Sequence, residues 1–431
     1  MLQVPARIGG RPVGADEWIE VRSPFDGAPV ARVPALSAEH VAEAVARAGG
    51  TDCQRAEVLE RAADLLADRT EEFAVTVTRE AGTPIVVSRA EAARAVATLR
   101  QSAADARKPA GRPVPITEPD QLGMIVRRPV GVVAVLTSHD SPLGAVARRL
   151  GPAIAAGCPV VLKPATSTPV SAVRLVDLLV EAGLPADAVA VLTGTGPVAG
   201  VPLVSHPVPA VVAFAGSVAA GQRVRAAAVG KRVLCEPDAT VPLLAGPGAD
   251  PGRVVAELLR AGLHGRWVLA HREVHDGVLH LLREAVASLR AGDPLDARTH
   301  IGPMISPEAT AEAERHLAAA RDAGAEVTGG VREGSVLTPA VVAGAPGRPQ
   351  LSGPVVAVTR FTDLDETIAQ VNGAAVRPRA GVFTPDLAAA LRSAHALDFD
   401  EIQINRNPSG YASNDGLVDA LTERRIVMVT P

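Results

Sequence analysis

Gly131-Val132-Val133-Ala134-Val135-Leu136-Thr137 is an uninterrupted apolar run of strand length, and Pro159-Val160-Val161-Leu162-Lys163 is a second. A strand with one wet face alternates apolar and polar residues; a run without alternation belongs to a strand covered on both faces. Between the two runs lies a helical pattern that ends at Ala155-Ala156-Gly157, where glycine suits the left-handed residue that follows a helix. The next helix carries Val170, Val173, Val176 and Val180 on one stripe and stops at Gly183-Leu184-Pro185. Strand, helix, strand at this rhythm predicts a parallel sheet with right-handed crossovers. Further strands are expected at Val189–Leu192, Val211–Phe214 and Arg232–Glu236.

Upstream, Thr51-Asp52-Cys53-Gln54 reads as a capping box opening a helix with Leu59, Ala62, Ala63 and Leu66 inward, which also puts Cys53 on that helix. Residues 112–129 turn from proline-rich to polar to basic, an excursion from the lobe. The α/β alternation then resumes, with helices expected near 275–291 and 307–323 and strands near 355–361, 380–384 and 402–405.

The chain has 431 residues, enough for two or three lobes. Its net charge of -4 gives no polyanion-binding footprint, so nucleic acid is not an expected partner. The 3 cysteines, Cys53, Cys158 and Cys235, make neither a disulfide framework nor a metal cluster. No signal-like start and no membrane-length apolar run are present, so a cytoplasmic protein is expected. Aromatic residues are only 2%, leaving few rings to line a pocket.

Several residues carry chemistry. Ligand loops in parallel sheets lie at the carboxyl ends of strands, which draws attention to Thr137-Ser138-His139-Asp140-Ser141-Pro142-Leu143. Asp140 there is either a working carboxylate or a cap on the following helix. Lys163 ends a buried strand and calls for an anionic partner. Ser217, in Phe214-Ala215-Gly216-Ser217, would cap a helix whose first amides can hold a pyrophosphate. Gly194-Thr195-Gly196 fits a tight turn but lacks the spacing of a dinucleotide fingerprint. Glu236 is a general base or a strand-end carboxylate paired to an arginine. Its neighbour Cys235 points to the opposite face of any strand. His264, His271 and Arg272 fall close together downstream but form no recognisable constellation.

From about residue 125 to 240 these motifs resemble the aldehyde dehydrogenase superfamily. Gly292-Asp293-Pro294-Leu295, Gly302-Pro303, Val382-Phe383-Thr384 and Ile404-Asn405 extend the resemblance over nearly the whole chain. The resemblance implies an α/β aldehyde dehydrogenase-like fold of two parallel-sheet Rossmann-like lobes plus a small oligomerisation β element. It implies a cofactor-binding lobe over 1–111 and 130–237, a catalytic-type lobe over 238–405, and the oligomerisation element at 112–129 and 406–431. Lys163, Thr166, Gly194, Gly196, Ser217 and Gln350 fall at its cofactor positions. Thr166 replaces a glutamate common in NAD-preferring relatives, which leans the reading to NADP over NAD. The terminal strand around Thr422–Val429 implies a homodimer or higher oligomer.

The resemblance breaks at the chemistry. Where the family places its nucleophilic thiol, the chain reads Gly265-Arg266-Trp267-Val268-Leu269-Ala270. Asp140 stands for an oxyanion-binding asparagine. Glu236 is kept, but its motif reads Glu236-Pro237-Asp238-Ala239-Thr240, without the family's glycines and lysine. Gln350 and Ser352 replace a glutamate and a phenylalanine that hold the nicotinamide end. The loop after Ile404-Asn405 shrinks to Arg406-Asn407-Pro408-Ser409-Gly410. Three functions follow: a repurposed enzyme with Glu236 and Asp140 as acid–base pair, a non-catalytic scaffold or partner, or residual aldehyde oxidation with Cys235 or another group as nucleophile.

Overall fold

In the computed structural model, residues 1–108, 111–114, 121–408 and 416–429 are described. Residues 115–120 of the proline-rich excursion, and Ser409 and Gly410 of the shortened loop, lie outside them.

Both apolar runs form interior strands. The first sheet contains, in chain order, β1 (Ala6–Ile8), β2 (Arg11–Val13), β3 (Val133–Leu136), β4 (Val160–Lys163), β5 (Val189–Val191), β6 (Val211–Ser217) and β7 (Arg232–Asp238). Across the sheet they run β7-β6-β3-β4-β5-β1-β2; the first five are mutually parallel and the last two are added antiparallel. Alternate residues face two different cores. Val133, Val135, Val160 and Leu162 join one cluster, while Ala134, Leu136 and Val161 join the other. Two covered faces explain why the sequence shows no polar alternation.

Helices α1 (Thr70–Ala81), α2 (Ile85–Ala106), α3 (Pro142–Ala156) and α4 (Val170–Glu181) cover one face, and α5 (Val218–Ala227) lies against β6 and β7 on the other. Gly157 caps α3 with φ +83, as its place in the sequence predicts. Val170, Val173 and Val176 of α4 are buried, but Val180 is 37% exposed. The inward stripe runs instead through Leu175, Leu178 and Leu179, because leucine on the third and fourth positions fills the space above β4 and β5.

A helix spans Arg55–Asp68, with Leu59, Ala62, Ala63 and Leu66 fully buried. The capping box does not form: the N-cap is Gln54, with no side-chain cap bond, and Cys53 precedes the helix. Thr51 is buried before the helix begins, so its hydroxyl is too far upstream for the first turn.

The second sheet contains β8 (Val241–Ala245), β9 (Arg266–His271), β10 (Glu326–Gly329), β11 (Ala340–Ala343), β12 (Val355–Phe361), β13 (Arg379–Phe383) and β14 (Glu401–Ile404). Its order is β10-β11-β12-β9-β8-β13-β14, parallel except for β10. Strand β9 occupies its middle, so Trp267, Val268 and Leu269 are core residues; the Trp267 indole donates to Thr359 Oγ1 at 2.9 Å. A small antiparallel sheet joins Thr422–Val429 to Leu122–Pro129 and Gly111–Val114. It leaves Leu122, Met124, Ile426, Met428 and Val429 exposed. Among the described residues no helix is long and apolar enough to cross a membrane.

Candidate active site

Chain order along the first sheet reverses at β3: β4 and β5 lie to one side of it, β6 and β7 to the other. A crevice opens outside the carboxyl ends of strands at such a reversal. The loop after β3 brings His139 and Asp140 there, β6 ends there with Ser217, and β7 ends there with Asp238. The second sheet contributes His264 from the loop before β9, Arg266 from the start of β9 and Arg379 from the start of β13.

These six charged or titratable groups interact. The Asp238 carboxyl lies close enough to that of Asp140 for the two to interact. Burial, then the adjacent Asp140 charge, push the Asp238 pKa up to about 6, against the pull of Arg379 and His139. His139 Nε2 lies 3.4 Å from Asp140 Oδ1. Solvent reaches Asp238 and His264 although neighbouring protein crowds both. Crowding depresses the His264 pKa and keeps its imidazole neutral, with Asp140 opposing. Arg266 is lowered to about 10, by burial first and then by Arg379. It remains charged at neutral pH and donates to the Pro408 carbonyl at 3.3 Å.

Glu236 and Asp140 are placed differently. Glu236 faces α3, where the guanidiniums of Arg148 and Arg149 hold its two oxygens; the Arg149 contact is 2.8 Å. The carboxylate beside Asp140 is Asp238, two residues further along the same face of β7. Sequence reasoning treated Asp238 only as a lost glycine. The overlooked signal was an acidic residue at the carboxyl end of a strand, in register with a second acidic loop. Asp140 does not cap α3; the N-cap is Ser141.

Cys235 faces the other way, toward α5, where a Cβ on Gly221 would come within 3.0 Å of its sulfur. Burial pushes its thiol up, with Arg225 opposing, so it holds its proton at neutral pH. Cys158 is buried and its thiol donates to the Leu421 carbonyl.

The cofactor positions fit a dinucleotide's anionic half. Lys163 is 5% exposed and its Nζ donates to the Pro164 carbonyl at 2.8 Å. Burial lowers its pKa to about 8. The Thr166 hydroxyl donates to the Gly194 carbonyl at 3.0 Å and so ties the loops after β4 and β5 together. Gly194 adopts φ +147 with Leu36 and Ala199 packed over it, while Gly196 has open space around it. Ser217 Oγ accepts from the Ala220 amide at 3.3 Å, capping α5 and leaving earlier amides of that turn facing the crevice mouth. Gln350 is exposed on the loop between β11 and β12, and Ser352 on that loop bonds His316 at 3.0 Å. A concavity of about 460 Å³ lined by Arg127, Arg232, Asp419 and Arg424 lies beside the terminal strand, not in the crevice. Among the described residues no cluster could hold a metal ion.

Comparison with known proteins agrees with this architecture. The chain is 30% identical over 453 residues to 3-sulfolactaldehyde dehydrogenase of Priestia aryabhattai, covering 96% of this chain and 95% of that one. It is 30% identical over 444 residues to the succinate-semialdehyde dehydrogenase [NADP(+)] of Escherichia coli, covering 96% and 92%. A solved NADP-dependent enzyme of Escherichia coli superposes with a TM-score of 0.93 at 27% identity, over 100% of this chain and 98% of the other. The profile of the aldehyde dehydrogenase family matches residues 13–416, and the chain belongs to that family.

Proposed function

We propose that this chain is an aldehyde dehydrogenase-family enzyme that has left thiol chemistry and works on a small carbonyl compound by noncovalent acid–base catalysis. The observation that carries this reading is the interacting pair Asp140–Asp238 at the carboxyl ends of β3 and β7, with the Cys235 thiol turned toward α5. A carboxyl whose pKa burial raises suits the proton-donor role beside a second carboxyl that accepts. Asp238, half-protonated near pH 6, is the proton donor; Asp140 is the acceptor. Glu236, clamped by Arg148 and Arg149, is a fixed negative charge that holds α3 to β7.

Lys163, Thr166, Gly194, Gly196 and Ser217 hold a dinucleotide, with Gln350 toward its nicotinamide ribose. NADP is favoured, since Thr166 offers no carboxylate to repel a 2′-phosphate. When bound, the nicotinamide supplies hydride transfer. Arg266 and Arg379 place positive charge beside the pair, which suits a substrate with an anionic tail. The 3-sulfolactaldehyde and succinate semialdehyde named for the two relatives both have such tails. The exposed apolar residues of the small sheet support a homo-oligomer in which a second copy covers Ile426 and Met428.

The test is a screen of short aldehydes bearing a carboxylate or sulfonate, with NADP(H), before and after thiol alkylation. Turnover that survives alkylation and falls at least about a hundredfold in Asp238→Asn supports the proposal. Turnover abolished by alkylation and by Cys235→Ser overturns it in favour of a displaced thiol.

A further inference from the structure

Two glutamates are buried in the helical layer: Glu80 on α1 and Glu91 on α2, 0% and 2% exposed. Neither caps its own helix. Glu80 accepts the Val170 amide at 2.7 Å and the Ser171 amide at 3.0 Å, the first amides of α4. Glu91 Oε1 accepts both the Leu143 and Gly144 amides of α3 at 2.9 Å. An N-terminal turn is normally capped by the residue before it. Ser141 holds that place in α3 but makes no cap bond, and the Glu91 carboxyl takes the first amides in its stead.

The backbone at Ser141 explains why. Its φ and ψ of 53 and 57 are left-handed, a conformation that costs a non-glycine residue free energy and persists only when its surroundings enforce it. Position 144 has to be glycine for the same turn, because a Cβ there would lie 2.6 Å from Ser141 Oγ and 3.4 Å from Glu91 Cγ. Ser141 directly follows Asp140. Accordingly we propose, on the reading of Asp140 and Asp238 as the acid–base centre, that Glu91 is a positioning residue: by capping α3 in place of Ser141 it locks the left-handed turn and holds Asp140 against Asp238. Glu80 does the same mechanical work one helix away, on a turn that carries neither aspartate.

That contrast supplies the test. Carboxyl titration is followed by NMR of protein labelled with ¹³C in its aspartates. The groups facing Asp238 are Asp140, His139 and Arg379, with His264 and Arg266 close by, and all stay unaltered. In Glu91→Ala the high midpoint of the pair is expected to fall by about one unit toward the ordinary carboxylate range. Glu91→Gln keeps an oxygen for the two amides and is expected to restore the wild-type curve. Glu80→Ala loses an equivalent cap yet leaves the curve in place. If Glu91→Ala does not fold, Glu91→Met, which fills the buried space but offers the two amides no oxygen, carries the same readout. A folded Glu91→Ala protein with an unmoved midpoint overturns the role of Glu91, as does an equal shift in Glu80→Ala. A wild-type pair that titrates as two ordinary carboxylates overturns the acid–base centre itself.

Discussion

Asp238 sets the chemistry of the crevice and also weighs on the fold. Its pKa is raised, so the stability it contributes is present at low pH and is lost as pH climbs through about 6. Asp238→Asn cannot ionise and keeps a polar group beside Asp140. The variant is expected to exceed wild-type stability by about 1 kcal/mol at pH 8, a figure reduced because solvent reaches the group, and to match it below pH 4. Urea midpoints at the two pH values check this. Lys163 carries the mirror-image cost. Its depressed pKa means that stability present at high pH is lost as pH falls through about 8. Lys163→Met is therefore expected to stabilise the fold at pH 7 by about 2 kcal/mol, with the gain vanishing above pH 10, measurable by the same titration. Lys163 at the end of a buried strand and Ser217 as a helix cap were legible because each has a local role that the sequence pattern exposes. The Asp140–Asp238 pair, Arg266 and Arg379 were not, because they converge from four elements and only tertiary structure sets their distances.

At the scale of elements, the interior strands were readable because burial on both faces removes the polar residues from the run. Val133–Leu136, Val160–Lys163 and Val355–Phe361 fall where the pattern puts them. Helix beginnings were less readable. Capping partners of α3 and α4 come from Glu91 and Glu80, more than 50 residues away, and no local motif encodes them. The same holds where the turn Gly302-Pro303 meets the end of α1. A Cβ on Gly302 would lie 2.0 Å from the Gly82 carbonyl oxygen, and Gly82 itself is left-handed at φ +73 and covered by Pro303 and Pro24. Backbone cannot swing aside as a side chain can. Gly302→Ala is expected to cost about 2 kcal/mol, seen as a lowered midpoint in thermal or urea unfolding. An unchanged midpoint would mean that this contact between the two halves is loose.

Across the whole molecule, the small sheet presents Ile426, Met428 and Val429 to solvent on a strand whose partner Leu122–Pro129 is exposed at Leu122 and Met124. Ile426→Lys with Met428→Lys is expected to shift the protein to a smaller species in sedimentation velocity while leaving its circular dichroism unchanged. A sedimentation coefficient equal to that of wild type would place the interface elsewhere. The family architecture spans nearly the whole chain, and Asp140, Asp238, Arg266 and Arg379 converge between its two large sheets. The measurement that tests this most directly is a fluorescence titration of the purified protein with NADPH and NADH, run beside Lys163→Met. Saturable binding with NADPH preferred, lost in the folded Lys163→Met protein, is the expected result. No saturation of wild type at millimolar cofactor would contradict it and leave no dinucleotide chemistry for the crevice to perform.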